Sequence, residues 1–252
     1  VNWQEISGNW ALIPQHPKGI IHFLGGAFLG TVPHVTYRLL LEHLGKQGYI
    51  AIATPFVNTY DHAAIARSVL QNFDSTLEQL RAKALIKRRY LPTYGLGHSM
   101  GCKLHLLIGS LYPVERAGNI LLCFNNFAAR DAVPLAEQFS PIWGEEFTPS
   151  PLETVDLIAR RYQIRRNLLV KFTNDTLDQS LALEKILQTN FPGMIVAKTL
   201  PGNHLTPLGQ DVKWEANSVF TPLDAIAQWM RQEVYRDLDR LKREITLWLN
   251  PC

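Results

Sequence analysis

Short, uninterrupted apolar runs alternate with helical patterns along most of the chain, and this alternation limits the fold more than any other feature. The β-rich stretches are Trp10 to Ile13, Ile20 to Leu24, Tyr49 to Ala53, Leu91 to Gly97, Asn119 to Phe124, Leu168 to Thr173 and Met194 to Leu200. A strand buried on both faces reads as a continuous apolar run, whereas a sheet wetted on one face alternates polar with apolar residues. The pattern predicts an α/β protein with a mainly parallel central sheet flanked by helices and joined by right-handed crossovers. Functional groups are then expected at the carboxyl ends of the strands.

Two helical segments stand out. From Asp61 to Leu85, Ile65, Val69, Phe73, Leu77, Leu80 and Ala84 recur every three or four residues and form one core-facing stripe. A long C-terminal helix is expected over about 221–249, with Thr221 as N-cap, Pro222 at the first helical position and Asp224 at the third. Between Asn125 and Arg166 the rhythm breaks. Pro134, Pro141, Pro149 and Pro151 lie among Phe127, Phe139, Trp143 and Phe147, and a stretch of that size after a strand predicts a cap or lid on a single domain.

Composition excludes several classes. The 252 residues are 46% hydrophobic and 19% charged, enough for a sizeable core and unlike a disordered chain. A net charge of +3 is too small for nucleic-acid binding, and the basic runs at 81–89 and 160–166 read as solvated helix and linker faces, allowing at most a peripheral membrane contact. No apolar run reaches the roughly 20 residues of a membrane span, and the first 30 residues lack a signal-peptide layout. The chain begins at Val1 without an initiator Met, so an upstream targeting segment stays open. Cys102, Cys123 and Cys252 are odd in number and have no metal-ligand spacing, which predicts buried or free thiols in a reducing compartment and no metal.

Gly97-His98-Ser99-Met100-Gly101 falls between an expected strand and an expected helix, the context a G-x-S-x-G nucleophile elbow requires. A serine hydroxyl needs a base to take its proton, and His204, in a Gly/Asn turn after the last β-like run, is the candidate. His98 reads as elbow packing, His105 as packing or surface, and His22 as a satisfied core residue. The orienting acid belongs between serine and histidine in chain order. Asp175, at the end of the Leu168 to Thr173 run, is the first choice; Asp178 is the alternative and reads equally as the cap of a helix starting near Gln179. Oxyanion donors are expected from Met100 N–H and from the Gly25-Gly26-Ala27 turn, with Gly26 or Ala27 as contributor. No G-x-G-x-x-G or Walker pattern supports a nucleotide, and no cofactor is called for.

With elbow, acid and base in this order, the chain resembles the α/β-hydrolases over nearly its full length. More narrowly, Ile21 to Phe28, Phe124-Asn125-Asn126-Phe127, Phe147 to Pro151 and Asp175 to Ser180 resemble domain-of-unknown-function family 1350. That family occurs in cyanobacteria and chloroplasts, so the resemblance implies a cyanobacterial cytoplasm or plastid stroma. Asn125, Asn126 and Phe28 are candidate substrate contacts near the pocket mouth, a turn role being open for the two asparagines. The expected activity is a serine hydrolase that cleaves an ester or thioester of a small-molecule acyl substrate through a Ser-His-Asp triad and an acyl-enzyme, with the cap aromatics Phe127, Trp143 and Phe147 hinting at an apolar acyl or lipid-like group. An acyltransferase on the same triad and a non-catalytic binding or assembly protein are the alternatives, and the oligomeric state stays open.

Overall fold

The computed structural model describes residues 2–27, 29–86, 90–129, 146–208 and 234–250. Eight strands form one sheet: β1 (Trp3–Ile6), β2 (Asn9–Leu12), β3 (Gly19–Leu24), β4 (Tyr49–Ala53), β5 (Thr93–His98), β6 (Gly118–Leu122), β7 (Asn167–Phe172) and β8 (Ile195–Leu200). Their order across the sheet is β1-β2-β4-β3-β5-β6-β7-β8. The pairs β1–β2 and β2–β4 are antiparallel, and every pair from β4 through to β8 is parallel. The α/β class with a mainly parallel sheet is therefore the observed fold.

The uninterrupted apolar runs have the cause inferred for them. In β3, Ile21 and Phe23 point into one core while Ile20 points into another. In β4, Ala51 and Ala53 oppose Ile50 and Ile52 in the same way. Ile120 and Leu122 oppose Leu121 in β6, and Leu168 and Val170 oppose Leu169 in β7. Period-2 geometry is intact, but both faces are covered, so no polar position marks it.

One face is covered by α2 (Arg38–Lys46), through Leu40, Leu41 and Leu44, and by α7 (Val234–Leu249), through Leu238, Leu241, Ile245 and Trp248. Just before α2 lies a single turn, α1 (Pro33–Thr36), which leads into the buried Tyr37. The other face carries α3 (His62–Ala82), α4 (Met100–Leu111), α5 (Pro151–Arg161) and α6 (Ser180–Asn190). Each fully buried Leu or Ile contributes about 1.5–3 kcal/mol relative to an exposed one.

Helix α3 begins where the pattern placed it. The Asp61 carboxylate accepts from Ala64 N–H at 2.8 Å, and Ile65, Val69, Phe73, Leu77 and Leu80 are buried. Ala84 lies beyond the helix end with φ +54°, so it leaves the stripe. Of the expected C-terminal helix, 234–249 is observed as α7, and 221–233 lies outside the described residues.

Two elements differ from expectation. Strand β1 is an edge hairpin partner joined to β2 through Ser7 and Gly8, both at positive φ. Of its side chains only Ile6 is buried, so it shows no apolar run. Within 125–166, residues 151–161 form the regular crossover helix α5, closed by a capping box in which Ser150 Oγ accepts from Glu153 N–H and Glu153 Oε2 accepts from Ser150 N–H. Residues 130–145 of that stretch lie outside the described residues.

Candidate active site

Ser99 stands between β5 and α4 with φ +54° and ψ −119°, a sparsely populated conformation for a side-chain-bearing residue that costs of order 1–3 kcal/mol. The flanking glycines make the turn possible. A Cβ on Gly97 would lie 2.6 Å from Cys102 N, and one on Gly101 would lie 2.1 Å from the Leu24 carbonyl oxygen. Ser99 N–H donates to Leu122 O at 2.9 Å, which ties the turn to the neighbouring strand. The Ser99 hydroxyl oxygen accepts from Asn125 Nδ2 at 3.1 Å.

Asp175 follows β7 and His204 follows β8. The two loops bring Asp175 Oδ2 to 2.8 Å from His204 Nδ1, with the Asp175 side chain fully buried and the His204 side chain 16% exposed. Burial alone pushes the Asp175 carboxyl up. The hydrogen bond and charge of His204, with Leu177 N–H at 2.9 Å, outweigh burial and hold it below the ordinary aspartate value. The loop of His204 is held internally: Asn203 N–H donates to Thr206 Oγ1 at 2.9 Å, and Asn203 Oδ1 accepts from Leu205 N–H at 2.9 Å.

Asp178 is occupied elsewhere. Its two oxygens accept from Ser180 N–H at 2.9 Å and Ser180 Oγ at 2.8 Å, so it braces the start of α6, and burial, opposed by those bonds, raises its pKa. The structure thus brings Asp175, not Asp178, to His204.

The other expected residues divide likewise. Asn125 meets Ser99, whereas Asn126 belongs to the framework. Asn126 N–H donates to Gln179 Oε1 at 2.7 Å and its Nδ2 to Pro151 O at 2.9 Å, while its Oδ1 is buried without a hydrogen-bond partner among the described residues. Gly26 N–H donates to the Tyr37 hydroxyl at 2.9 Å, so that donor is spent, and the reading of Gly26 as an oxyanion donor gives way to Ala27. Met100 N–H belongs to the first turn of α4, where helices carry unpaired donors. Phe28 lies outside the described residues. Phe147 packs on His62 with ring centroids 4.2 Å apart, fastening the 146–149 segment to the start of α3.

His98 does more than pack. It is buried, with Nδ1 at 2.7 Å from the Tyr37 hydroxyl and Nε2 at 2.8 Å from the His204 carbonyl oxygen. Nothing in the sequence pairs Tyr37 with His98, which lie 61 positions apart. His22 is a satisfied core residue, bonded to Thr54 Oγ1 and to Arg116 Nη2, and His105 is buried edge-on against it. Cys102 and Cys123 are buried free thiols. His98, Cys123 and His204 offer ligand atoms within 4.8 Å of one another. Both nitrogens of His98 are committed, as is Nδ1 of His204, so the trio does not fit a metal.

A strained serine elbow ahead of a helix, an Asp–His pair at the ends of β7 and β8 and the sheet order together define the α/β-hydrolase fold. Solved structures agree in fold. A soluble variant of monoglyceride lipase from Saccharomyces cerevisiae, bound to a substrate analogue, superposes with a TM-score of 0.64 at 15% identity, over 99% of this chain and 94% of that one. The Staphylococcus aureus fluorophosphonate-binding serine hydrolase FphF gives 0.61 at 14% identity, over 96% and 92%. The Pyrococcus furiosus esterase Pf2001 gives 0.60 at 14%, over 96% and 85%. The chain belongs to the family described as Protein of unknown function (DUF1350), whose model matches residues 2–251. No curated protein matches it. No helix among the described residues is long and apolar enough to cross a membrane.

Proposed function

We propose that the protein is a serine hydrolase that cleaves a carboxylic ester or thioester of a small-molecule acyl substrate through Ser99, His204 and Asp175. The observation that carries this is the Asp175 Oδ2 to His204 Nδ1 hydrogen bond at 2.8 Å, at the same sheet end as a Ser99 held at φ +54°. A carboxylate only accepts, so Nδ1 of His204 carries a proton, and a neutral ring then keeps its lone pair on Nε2, the tautomer a general base needs. Asn125 donates to a lone pair of Ser99 Oγ, so the hydroxyl proton stays available to a base; no hydrogen bond joins Ser99 to His204 among the described residues, and the transfer needs the two side chains to close on each other when substrate binds. His204 takes the proton as Oγ bonds to the substrate carbonyl carbon, and the carbonyl π electrons move onto oxygen. N–H groups of Met100 and Ala27 hold this oxyanion, each such donor commonly being worth about 10²- to 10³-fold in rate. On collapse the alcohol or thiol leaves with the proton from His204. A water, deprotonated by the same His204, then releases the acid from the acyl-enzyme.

Fluorophosphonate labelling tests the reading. The purified protein should be labelled at Ser99, identified in the modified peptide by mass spectrometry, and Ser99→Ala and His204→Ala should abolish or nearly abolish it. A panel of acyl esters and thioesters of increasing chain length then defines the acyl group. Folded protein that resists labelling at high probe concentration overturns the proposal.

A further inference from the structure

Two buried polar side chains outside the triad connect all the parts of the candidate site. Gly26 N lies 2.9 Å from the Tyr37 hydroxyl, that hydroxyl 2.7 Å from His98 Nδ1, and His98 Nε2 2.8 Å from the His204 carbonyl oxygen. Three segments far apart in the chain meet here: the turn after β3, the last residue of β5, and the loop after β8.

The direction of every bond is forced. The His204 carbonyl only accepts, so His98 Nε2 carries a proton. Burial, together with the nearby His204, pushes the His98 pKa down to about 3, so its ring is neutral and Nδ1 is a lone pair. The Tyr37 hydroxyl must then donate to Nδ1, and its oxygen accepts from Gly26 N–H. Burial raises the Tyr37 pKa far above the ordinary tyrosine value, so that proton is not lost. The chain Gly26 N–H to Tyr37 O–H to His98 to His204 C=O runs one way without a charge, an arrangement in which each bond polarises the next.

We propose that Tyr37 and His98 are positioning residues whose one-way hydrogen-bond relay fastens the His204 loop and the Gly26–Ala27 turn to the nucleophile elbow. The proposal rests on the hydrolase reading of Ser99 and His204. Each end of the relay lands on backbone beside a working atom: Gly26 precedes Ala27, and the accepting carbonyl belongs to His204 itself. An apolar pair at 37 and 98 would fill the same core, yet Tyr37 and His98 place three hydrogen-bonding atoms there, each costing about 1–3 kcal/mol if left unpaired. The relay also places a second imidazole, 5.0 Å between ring centroids, beside His204 without letting it compete for the proton.

The test uses Tyr37→Phe, which removes one hydroxyl and keeps the ring, with His98→Gln as a second variant that keeps a donor near the Nε2 position but loses the Tyr37 partner. Fluorophosphonate labelling gives the inactivation rate constant and the apparent probe affinity separately. Histidine ¹⁵N NMR gives tautomers and the Nδ1–H proton of His204. The relay predicts an inactivation rate constant about 10-fold lower in Tyr37→Phe with probe affinity nearly unchanged, in keeping with a sub-ångström displacement of the base. It also predicts an Nε2–H tautomer for His98 in the unsubstituted protein, and shifted His204 ring resonances in both variants. If the labelling rate and the His204 resonances of folded Tyr37→Phe match the unsubstituted protein, the proposal is overturned. If the unsubstituted protein is not labelled at all, the hydrolase reading fails, and the relay is judged on the His204 resonances alone.

Discussion

Asp175 and His204 meet across the ends of β7 and β8 with Oδ2 and Nδ1 2.8 Å apart, and the carboxylate is entirely enclosed while the imidazole keeps an exposed edge. That asymmetry suits an acid that only orients and a base that must reach a substrate. Three residues further on, Asp178 has the same chemistry but opposite employment, because both of its oxygens are taken by Ser180.

The two aspartates should therefore separate cleanly on substitution. Asp175→Asn keeps the shape but offers an amide to Nδ1, favouring the wrong tautomer of His204. Fluorophosphonate labelling of Ser99 is expected to slow about 10³- to 10⁴-fold. Asp178→Ala, which removes both bonds to Ser180, is expected to label at close to the unsubstituted rate and to lose about 1 kcal/mol of stability in urea unfolding, the usual scale for a side-chain brace lost from a helix start. The reverse ranking would move the acid to Asp178.

Why Asp175 and Asp178 were not separable in the sequence is a matter of loop geometry. Both follow the same apolar run, and which carboxylate faces His204 depends on the Asx turn in which Asp175 Oδ1 accepts from Leu177 N–H. The parallel strands were legible because burial on both faces removes polar residues from them. Strand β1, Trp-Gln-Glu-Ile, was not, since as an edge strand it buries little; the Ser7-Gly8 pair, a two-residue hairpin signal, was its only mark. Helix α5 was hidden among prolines, although Ser150, Pro151 and Glu153 spell a capping box with proline at the first helical position. The serine elbow was legible because close backbone contact, with Cys102 at Gly97 and with Leu24 at Gly101, leaves room for glycine alone on either side of it. Tyr37 was not, because its role comes only from tertiary proximity to His98.

Burial of His62 carries a pH dependence. Both ring nitrogens are buried without a hydrogen-bond partner among the described residues, and burial, with the nearby Lys103 ammonium, lowers its pKa to about 3. The unfolded chain has an ordinary histidine near 6.5 and so binds more protons than the folded one between about 3 and 6.5. Stability present above pH 6.5 is lost as the pH falls through that window, by about 2 kcal/mol from this residue alone between pH 6.5 and 5. His62→Phe, which preserves the stack on Phe147, should flatten the pH slope and raise stability at pH 7 by about 1–2 kcal/mol. Urea unfolding at several pH values reads both effects, and parallel pH curves for the two proteins would refute this account.

Gly101 is required by contact with neighbouring backbone. Its α-carbon faces the Leu24 carbonyl so closely that an added Cβ would sit 2.1 Å from that oxygen, and no side-chain rotation relieves a backbone clash. Gly101→Ala is expected to cost about 3 kcal/mol or more and to displace the elbow from β3. Thermal unfolding should show the loss, and labelling at Ser99 should fall even in the fraction that remains folded. An alanine variant of unchanged midpoint would mean that α4 can slide away from β3.

Asn125 and Asn126 are neighbours with separable duties, and their alanine variants should fail in different ways. Asn125 Nδ2 donates to Ser99 Oγ at 3.1 Å, so its loss frees the hydroxyl to leave the rotamer that bond holds. Labelling of Asn125→Ala is expected to slow about 10-fold with stability within about 0.5 kcal/mol of the unsubstituted protein. Asn126 Nδ2 instead reaches the Pro151 carbonyl at 2.9 Å, where it fastens the start of α5 to the end of β6. Its truncation strands a carbonyl and should cost about 1–2 kcal/mol in urea unfolding while leaving the labelling rate of folded protein nearly intact. If Asn126→Ala slows labelling as much as Asn125→Ala, both asparagines act on the reacting atoms, and the framework role assigned to Asn126 is wrong.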